Sequence, residues 1–217
     1  MKNFKQFLTE MPLPDKWDEQ TLNQKNTLKH KMDFFKSQAL KIGTGSSRVA
    51  FIVNHDGRPA VIKVAKNVKG LQQNEQEVQL MSDYYMESLG ILIPMIDYDR
   101  ENLQPYWIMT EYAEKAKSID FTNEFGTSDV RRIILCVQSQ INSNIEKQSP
   151  HACHNIKTDS EVYESLFNLI GNYDNSQFTV EDFYSISNWG KYNGKLVIID
   201  IGLTPHIYNK YYRKVRI

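Results

Sequence analysis

Alternating apolar positions predict a β-hairpin within residues 41–66. Every second residue from Val49 to Val53 is large and apolar, which is the period of a strand that buries one face. Residues 61–65, VIKVA, form a second apolar run and predict a more buried strand. Between them lies Asp56-Gly57, a turn signal, because glycine adopts a positive φ without steric cost. The pattern therefore predicts two antiparallel strands joined by a tight turn.

Other segments show the spacing of three and four residues that marks one face of a helix. Residues 72–89 predict a helix whose buried face carries Val78, Met81, Tyr85 and Leu89. Three more helices are predicted over residues 129–148, 160–173 and 205–216, while residues 120–128 are predicted to be a loop. Residues 91–99 and 105–112 predict a second hairpin, and Asn193-Gly194 predicts the turn of a third.

The composition is that of an ordinary globular protein. The chain has 217 residues, of which 41% are hydrophobic, and its 26 basic residues balance its 26 acidic ones. The absence of net charge gives no support for a nucleic-acid partner, and no apolar run reaches the length of a membrane span. Cys136 and Cys153 fit a reducing compartment, in which they need not pair.

Candidate chemistry lies on both sides of the first predicted strand. The stretch GTGSS, residues 43–47, precedes it, and glycines there let the backbone approach a ligand while N–H groups face anionic oxygens. Lys63 stands inside the second strand, where an ammonium group is costly unless it has a partner. The alternative is an ordinary hairpin whose lysine reaches solvent along its apolar stem.

These segments resemble the small lobe of protein kinases. GTGSSRVAF is similar to the glycine-rich loop that covers the ATP phosphates, and AVIKVAK is similar to the strand that carries the phosphate-binding lysine. Arg48 departs from the pattern, since it stands where the third glycine is expected. The resemblance implies that ATP is bound by a set of loop residues together with one lysine: Gly43, Gly45, Ser46, Ser47 and Lys63.

Two further elements of a nucleotide site follow from the same resemblance. QNEQEVQLM resembles the helix whose glutamate pairs with the lysine, which implies this role for Glu75, with Glu77 as the alternative. WIMTEYA, residues 107–113, resembles the strand that enters the kinase hinge. It implies that Thr110 is the gatekeeper residue of the adenine pocket, and that the carbonyl of Glu111 and the N–H of Ala113 face adenine. The alternative for Glu75 and Glu77 is that both are solvated helix residues, and the alternative for residues 107–113 is an ordinary core strand.

The metal-binding and catalytic residues are expected near the third hairpin. Asp200-Ile201-Gly202 resembles the kinase triplet whose aspartate binds Mg²⁺, with isoleucine in place of phenylalanine. Asp182 lies at the kinase spacing for the residue that accepts the substrate proton, although the usual His-Arg-Asp triad is absent. Asn188 is the second expected metal ligand, one position beyond the usual one, which Ser187 occupies.

The motifs GTGSSR, VIKVAKN, KGLQQNE, IIDIGLT and YNKYY together resemble kinase-like proteins of tailed bacteriophages. This implies an α+β, protein-kinase-like bilobal fold with an antiparallel-sheet N-lobe over residues 15–112 and a truncated, mainly helical C-lobe over residues 113–217. Residues 1–14 resemble a packaging tag cut after Leu8-Thr9-Glu10, or else form a short amphipathic helix. The C-lobe is expected to be reduced because 15 residues follow Gly202.

The resemblance implies an ATP-dependent phosphotransferase that uses Mg²⁺ and acts on a host or phage protein. The alternative is an inactive pseudokinase that binds and modulates a host protein, and a packaged virion protein is compatible with both. The expected location is the host cytoplasm, with the virion as a second location. The cluster PHACH, residues 150–154, lacks the second ligand pair of a zinc site and is interpreted as a polar loop.

Overall fold

The chain divides into two compact units. The structure, a computed structural model, describes residues 19–25, 27–149, 151–172 and 177–212. The first unit comprises the described residues up to Asn74 together with Met95–Tyr112, and the second comprises Glu75–Pro94 and the described residues from Ala113 onward. Residues 75–94 thus group with the second unit, whereas the sequence placed them in the first lobe. The tag-like segment 1–14 lies outside the described residues.

The first unit is built on a five-stranded antiparallel sheet with the order β1-β2-β3-β5-β4. Its elements are α1 (Glu19–Asn23), α2 (Leu28–Gln38), β1 (Leu40–Thr44), β2 (Arg48–His55), β3 (Arg58–Ala65), β4 (Met95–Tyr98), β5 (Trp107–Glu111) and the first half of α3 (Val68–Met81). The predicted first hairpin is confirmed, because Asp56 and Gly57 have φ values of 49° and 81°. Strand β1 was not predicted.

One face of this sheet carries the hydrophobic core of the first unit. Phe51, Ile62 and Met109 belong to a buried cluster that also contains Leu22 of α1 and Phe35 of α2. The ring of Phe35 stacks on that of Phe51 with centroids 5.7 Å apart. The N-terminal helices therefore pack against this face of the sheet.

The second unit combines helices with a three-stranded antiparallel sheet of order β6-β7-β8. Its elements are the second half of α3, α4 (Tyr84–Ser88), β6 (Glu114–Lys115), α5 (Ser118–Phe125), α6 (Val130–Ile141), α7 (Ser143–Gln148), α8 (Glu161–Asn172), two 3-10 helices (Val180–Tyr184 and Ile186–Asn188), β7 (Trp189–Tyr192), β8 (Lys195–Ile198) and α9 (Pro205–Tyr211). The predicted Asn193-Gly194 turn is confirmed by φ values of 49° and 85°. Among the helices that the structure describes, none is long and apolar enough to cross a membrane.

The prediction of a loop over residues 120–128 is wrong. Helix α5 occupies Ser118–Phe125, and Phe121 and Phe125, four residues apart, are both completely buried. Gly126 ends the helix with a left-handed φ of 77°. The pair of aromatic residues at helical spacing was the signal for this helix in the sequence.

The predicted helix over residues 72–89 is interrupted, and its predicted buried face is confirmed at Met81 but wrong at Tyr85, which is exposed. Asp83 accepts hydrogen bonds from the N–H groups of Tyr85 and Met86, so it starts a new helix, α4. In α3 the buried side chains include Asn74 and Glu77. The prediction placed Glu75 and Tyr85 on the buried face. In the structure Glu77 is completely buried, Glu75 is half-buried and Tyr85 is exposed.

The predicted helix over residues 129–148 is also divided into two. The side chain of Asn142 accepts from the N–H of Asn144 and caps α7, which separates it from α6. Cys136 of α6 and Cys153 form a disulfide, which the sequence analysis did not predict. The guanidinium of Arg132, also in α6, donates to the carbonyls of Ala152 and His154. The turn around Cys153 is therefore attached to α6 by hydrogen bonds as well as by the disulfide.

Asp120 of α5 is expected to make the stability of the second unit depend on pH. Burial by itself raises the pKa of its carboxyl, but the N–H of Lys117 at 2.9 Å and the ammonium of Lys191 at 3.0 Å lower that pKa below its ordinary value overall. Because the folded state prefers the carboxylate, the stabilisation is complete above pH about 4 and is lost as the pH falls through the lowered pKa.

We expect Asp120→Asn to reduce the free energy of unfolding by about 1–2 kcal/mol at pH 7. This is at the lower end of the roughly 1.5–3 kcal/mol usual for hydrogen bonds to a charged group, because the Lys191 side chain is 41% exposed. The difference from wild type should shrink at pH 3 and below, as measured by urea denaturation at each pH. Asp129→Asn, at the cap of α6, is the control, because the Asp129 carboxyl accepts from the backbone N–H of Arg132. A difference that stays constant down to pH 2 would contradict the role of the charge.

Candidate functional site

The glycine-rich loop lies between β1 and β2 and is closed by its own backbone. The N–H of Gly45 donates to the carbonyl of Arg48 at 2.9 Å, and Gly43 pairs with Ala50 across the two strands. Gly45 and Ser46 are exposed, whereas Ser47 is buried. The exposed tip is the part of the loop that a ligand would reach.

The base of the loop is fixed to helix α3 by buried polar contacts. The hydroxyl of Ser47 donates to Gln73 Oε1, and Arg48 Nη1 donates to Asn74 Oδ1 at 3.3 Å. Ser47, Arg48, Gln73 and Asn74 are all at least nine-tenths buried. Arg48, which stands where kinases have a glycine, therefore has a structural contact of its own inside the unit.

Gly70 allows α3 to lie against the loop. A Cβ atom at this position would be 2.3 Å from the carbonyl oxygen of Ser47 and 3.1 Å from Ala65 Cα, both of which are backbone atoms. The N–H of Lys66 donates to that same Ser47 carbonyl at 2.8 Å. The turn between β3 and α3 is thus packed directly onto the glycine-rich loop.

Lys63 lies on the sheet face opposite the hydrophobic core. It follows Ile62, which belongs to the core cluster, and successive strand residues point to opposite faces. In the ladders Lys63 stands opposite Ala50 and Ile108, so these three side chains share one face. Lys63 is 8% exposed, which places a cationic side chain in a largely dehydrated position beside a small neighbour.

In the second unit, two predicted site residues are in direct contact. Asn188 Nδ2 donates to Asp182 Oδ1 at 3.1 Å and to the Asp182 carbonyl at 2.8 Å. Asp182 lies in the first 3-10 helix and Asn188 at the end of the second, so the two helices fold the segment back on itself. Ser187, the residue at the usual kinase position, donates to Asn188 Oδ1 at 3.3 Å.

Asp200 lies close to this pair along the adjacent hairpin. The N–H of Ile199 donates to the carbonyl of Asn188 at 2.8 Å, and Trp189 pairs with Ile198. Asp200 therefore follows directly on a residue that is bonded to Asn188. Both aspartates are half-buried, as is Asn188. The fold of the second unit thus brings Asp182, Asn188 and Asp200 into one region, although they are spread over 19 positions of the sequence.

Such a group is suited to an oxygen-ligated cation. Mg²⁺ in phosphoryl-transfer sites commonly uses one or two protein carboxylates, and the rest of its ligands are phosphate oxygens and water. Within the described ranges, no three His, Cys, Asp or Glu side chains are placed to hold a metal ion by themselves. Cys153 is bonded to Cys136 and does not serve as a ligand beside His151 and His154.

The remaining predicted residues are placed in their elements, and their roles stay predictions. Glu75 is half-buried in α3, and Glu77 is completely buried there. Glu111 ends β5, Thr110 before it is 2% exposed, and Ala113 precedes β6. Burial favours Glu77 over Glu75 as the glutamate with a specific partner, because a dehydrated carboxylate needs one.

Sequence reasoning missed the residues that hold the glycine-rich loop. The sequence analysis gave no role to five residues that contact this loop: Lys66, Asn67, Lys69, Gln73 and Asn74. The available signal was the run KNVKG, residues 66–70, which puts two cations and a glycine at the start of a helix.

Comparison with known proteins gives only weak similarity. No protein-family model matches the chain, and no curated protein matches it. Among solved structures, the chain is similar to the crystal structure of aminoglycoside phosphotransferase APH(4)-Ia, with a TM-score of 0.34 and 13% identity over 79% of this chain and 69% of that chain. A thermostable mutant of that enzyme, in a ternary complex with ADP and hygromycin B, has a TM-score of 0.34 and 11% identity over 81% and 70% of the two chains.

A second thermostable mutant, in a ternary complex with AMP-PNP and hygromycin B, has a TM-score of 0.34 and 12% identity over the same shares of the two chains. TM-scores of this size do not establish a common fold. The function proposed for this chain is therefore supported by its own residues.

Proposed function

We propose that the chain is a protein-kinase-like protein that binds ATP with Mg²⁺ and acts as a phosphotransferase on a host or phage protein. The observation that carries this proposal is the contact of Asp182 with Asn188, next to Asp200 on the neighbouring hairpin. An aspartate held by an amide beside a second aspartate offers both a proton acceptor and oxygen ligands for a metal ion.

Each residue has a proposed role. Lys63 contacts the α- and β-phosphates, and Gly43, Gly45, Ser46 and Ser47 face them with their backbone. Asp200 and Asn188 bind Mg²⁺, and Asp182 accepts the proton of the substrate hydroxyl.

The acidic partner of Lys63 is Glu75, with Glu77 as the alternative that burial favours. Glu111 and Ala113 contact adenine through their backbone. Positioning and charge neutralisation of this kind make up most of phosphoryl-transfer catalysis.

We expect ATP with Mg²⁺ to raise the melting temperature of the wild-type chain by roughly 5–10 °C at 100 times the dissociation constant, because binding then contributes about 2.7 kcal/mol. Lys63→Met should lose most of this shift, since methionine keeps the apolar stem and removes the charge. Lys41→Met, at an exposed lysine of β1, is the matched control and should keep the full shift. The measurement is thermal unfolding with and without nucleotide; no shift in wild type contradicts nucleotide binding.

Phosphate transfer is tested separately with γ-labelled ATP and a host lysate. Asp182→Asn should abolish the transfer and retain the thermal shift, whereas Asp200→Asn should weaken both. If transfer by the wild type were unchanged in both variants, the proposed roles would be wrong.

A pseudokinase is the second candidate function. The usual His-Arg-Asp triad is absent at Asp182, and Ser187 occupies the position of the metal-binding asparagine. On this hypothesis the chain binds nucleotide and modulates a host protein without turnover. A thermal shift with ATP in the absence of any labelled product would favour it over the enzyme.

We further propose that the chain is of bacteriophage origin and acts in the host cytoplasm, with packaging in the virion as an addition. Mass spectrometry of purified particles tests the packaging hypothesis, which predicts a new N-terminus at Met11. An intact Met1 in particles would contradict it.

A further inference from the structure

The turn between β3 and α3, together with the first turn of α3, places two ammonium groups on the tip of the glycine-rich loop. Lys66 Nζ donates to the carbonyl of Gly45 at 3.0 Å, and Lys69 Nζ donates to Ser46 Oγ at 3.0 Å. Asn67 Nδ2 adds a third contact, to the carbonyl of Ser46 at 3.4 Å. Three side chains within residues 66–69 therefore contact Gly45 and Ser46, the two exposed residues of the loop tip.

The charge of Lys66 is not balanced by these contacts. Its acceptor is an uncharged carbonyl, and across the residues that the structure describes no carboxylate forms an ion pair with it. An ammonium has three N–H donors, and the Gly45 carbonyl uses one. Lys66 is exposed, so an incoming anion would have access to the other donors.

The neighbouring backbone adds to the positive potential. Helix α3 has 14 residues and starts at Val68, and Asn67 Oδ1 accepts from the N–H of Gly70 in its first turn. The start of a helix carries a partial positive charge that favours anions. Holding long lysine side chains in one place also costs side-chain entropy, which a bound anion would offset.

We propose that Lys66 and Lys69 bind the oxygens of the terminal phosphoryl groups of the nucleotide and thereby make the chain select ATP over AMP. This inference rests on the proposed nucleotide binding and adds two residues to it. A phosphate oxygen carries negative charge, so it forms an ion pair as well as a hydrogen bond with an ammonium, whereas the Gly45 carbonyl and the Ser46 hydroxyl are uncharged. On binding, each ammonium would donate to a phosphate oxygen, either in place of its present acceptor on the loop or in addition to it. Both ammonium groups would stay at the loop tip.

The test compares the affinity for ATP with that for AMP, measured by calorimetry on the full chain with Mg²⁺. In the double variant Lys66→Met and Lys69→Met, the affinity for ATP should fall roughly tenfold to a hundredfold, as expected from the loss of one or two charge-assisted contacts. The affinity for AMP should change less than about twofold. Lys66→Arg with Lys69→Arg should restore the preference for ATP, and Lys41→Met should behave as wild type.

The outcomes separate this inference from the proposed function. An equal loss for ATP and AMP, or no loss for either, would overturn the inference and leave nucleotide binding intact. If the wild type bound no nucleotide, inorganic tripolyphosphate would be the second probe. If tripolyphosphate raised the melting temperature of the wild type but not that of the double variant, a phosphate site at the loop would still be supported. If it raised neither, both the phosphate site and the proposed nucleotide binding would be overturned.

Discussion

Gly70→Ala is expected to lower the free energy of unfolding by roughly 2–3 kcal/mol, although alanine is the better helix former. Replacing glycine by alanine in a helix usually gains up to about 1 kcal/mol. Here the new Cβ would lie 2.3 Å from the carbonyl oxygen of Ser47, and that atom belongs to the backbone. Overpacking of this kind costs about 1–3 kcal/mol or more, so the steric term exceeds the helix propensity.

The measurement is urea denaturation of the variant beside Gly171→Ala as a matched control. Gly171 is also a helical glycine, in α8, but its Cβ would meet Ile141 Cδ1 at 3.5 Å, an ordinary contact. The control should be as stable as wild type or more stable by up to about 1 kcal/mol. If Gly70→Ala behaved like the control, helix α3 would not lie against the glycine-rich loop as described.

Phe121→Ala is expected to cost about 3–5 kcal/mol of stability, the usual value for truncating a buried aromatic residue. The ring is completely buried, lies edge-to-face on Trp189 with centroids 5.5 Å apart, and is 6.3 Å from that of Phe125. Its truncation would leave a cavity beside the first residue of β7, directly after Asn188. The cost should therefore appear in the stability of the second unit.

Ile119→Ala in the same helix is the control, because Ile119 is 57% exposed and its truncation should change the stability by less than about 0.5 kcal/mol. Chemical denaturation of both variants measures the difference. Similar small effects for both would indicate that residues 120–125 belong to the loop that the sequence predicts over residues 120–128.

Local patterns determined the hairpins of this chain. Asp56-Gly57 and Asn193-Gly194 require a left-handed turn, and the apolar runs beside them have the period of strands, so neighbouring residues settle the structure. The helices were predicted less well. Asp83 and Asn142 divide two of them through caps, and a cap depends on one side chain turning back to the backbone. Helix α5 was missed because its two phenylalanines are separated by polar residues.

The sequence by itself also identified which residue types deserve attention: a lysine within an apolar strand, a glycine-rich stretch, and aspartates beside a predicted hairpin. Only the tertiary structure decided what surrounds them. Strand register put Lys63 on the face away from the core, and the fold of two 3-10 helices joined Asn188 to Asp182. The approach of Lys66 to Gly45, 21 residues earlier, depends on Gly70 leaving room for the turn, and such long-range packing is not encoded in any local periodicity.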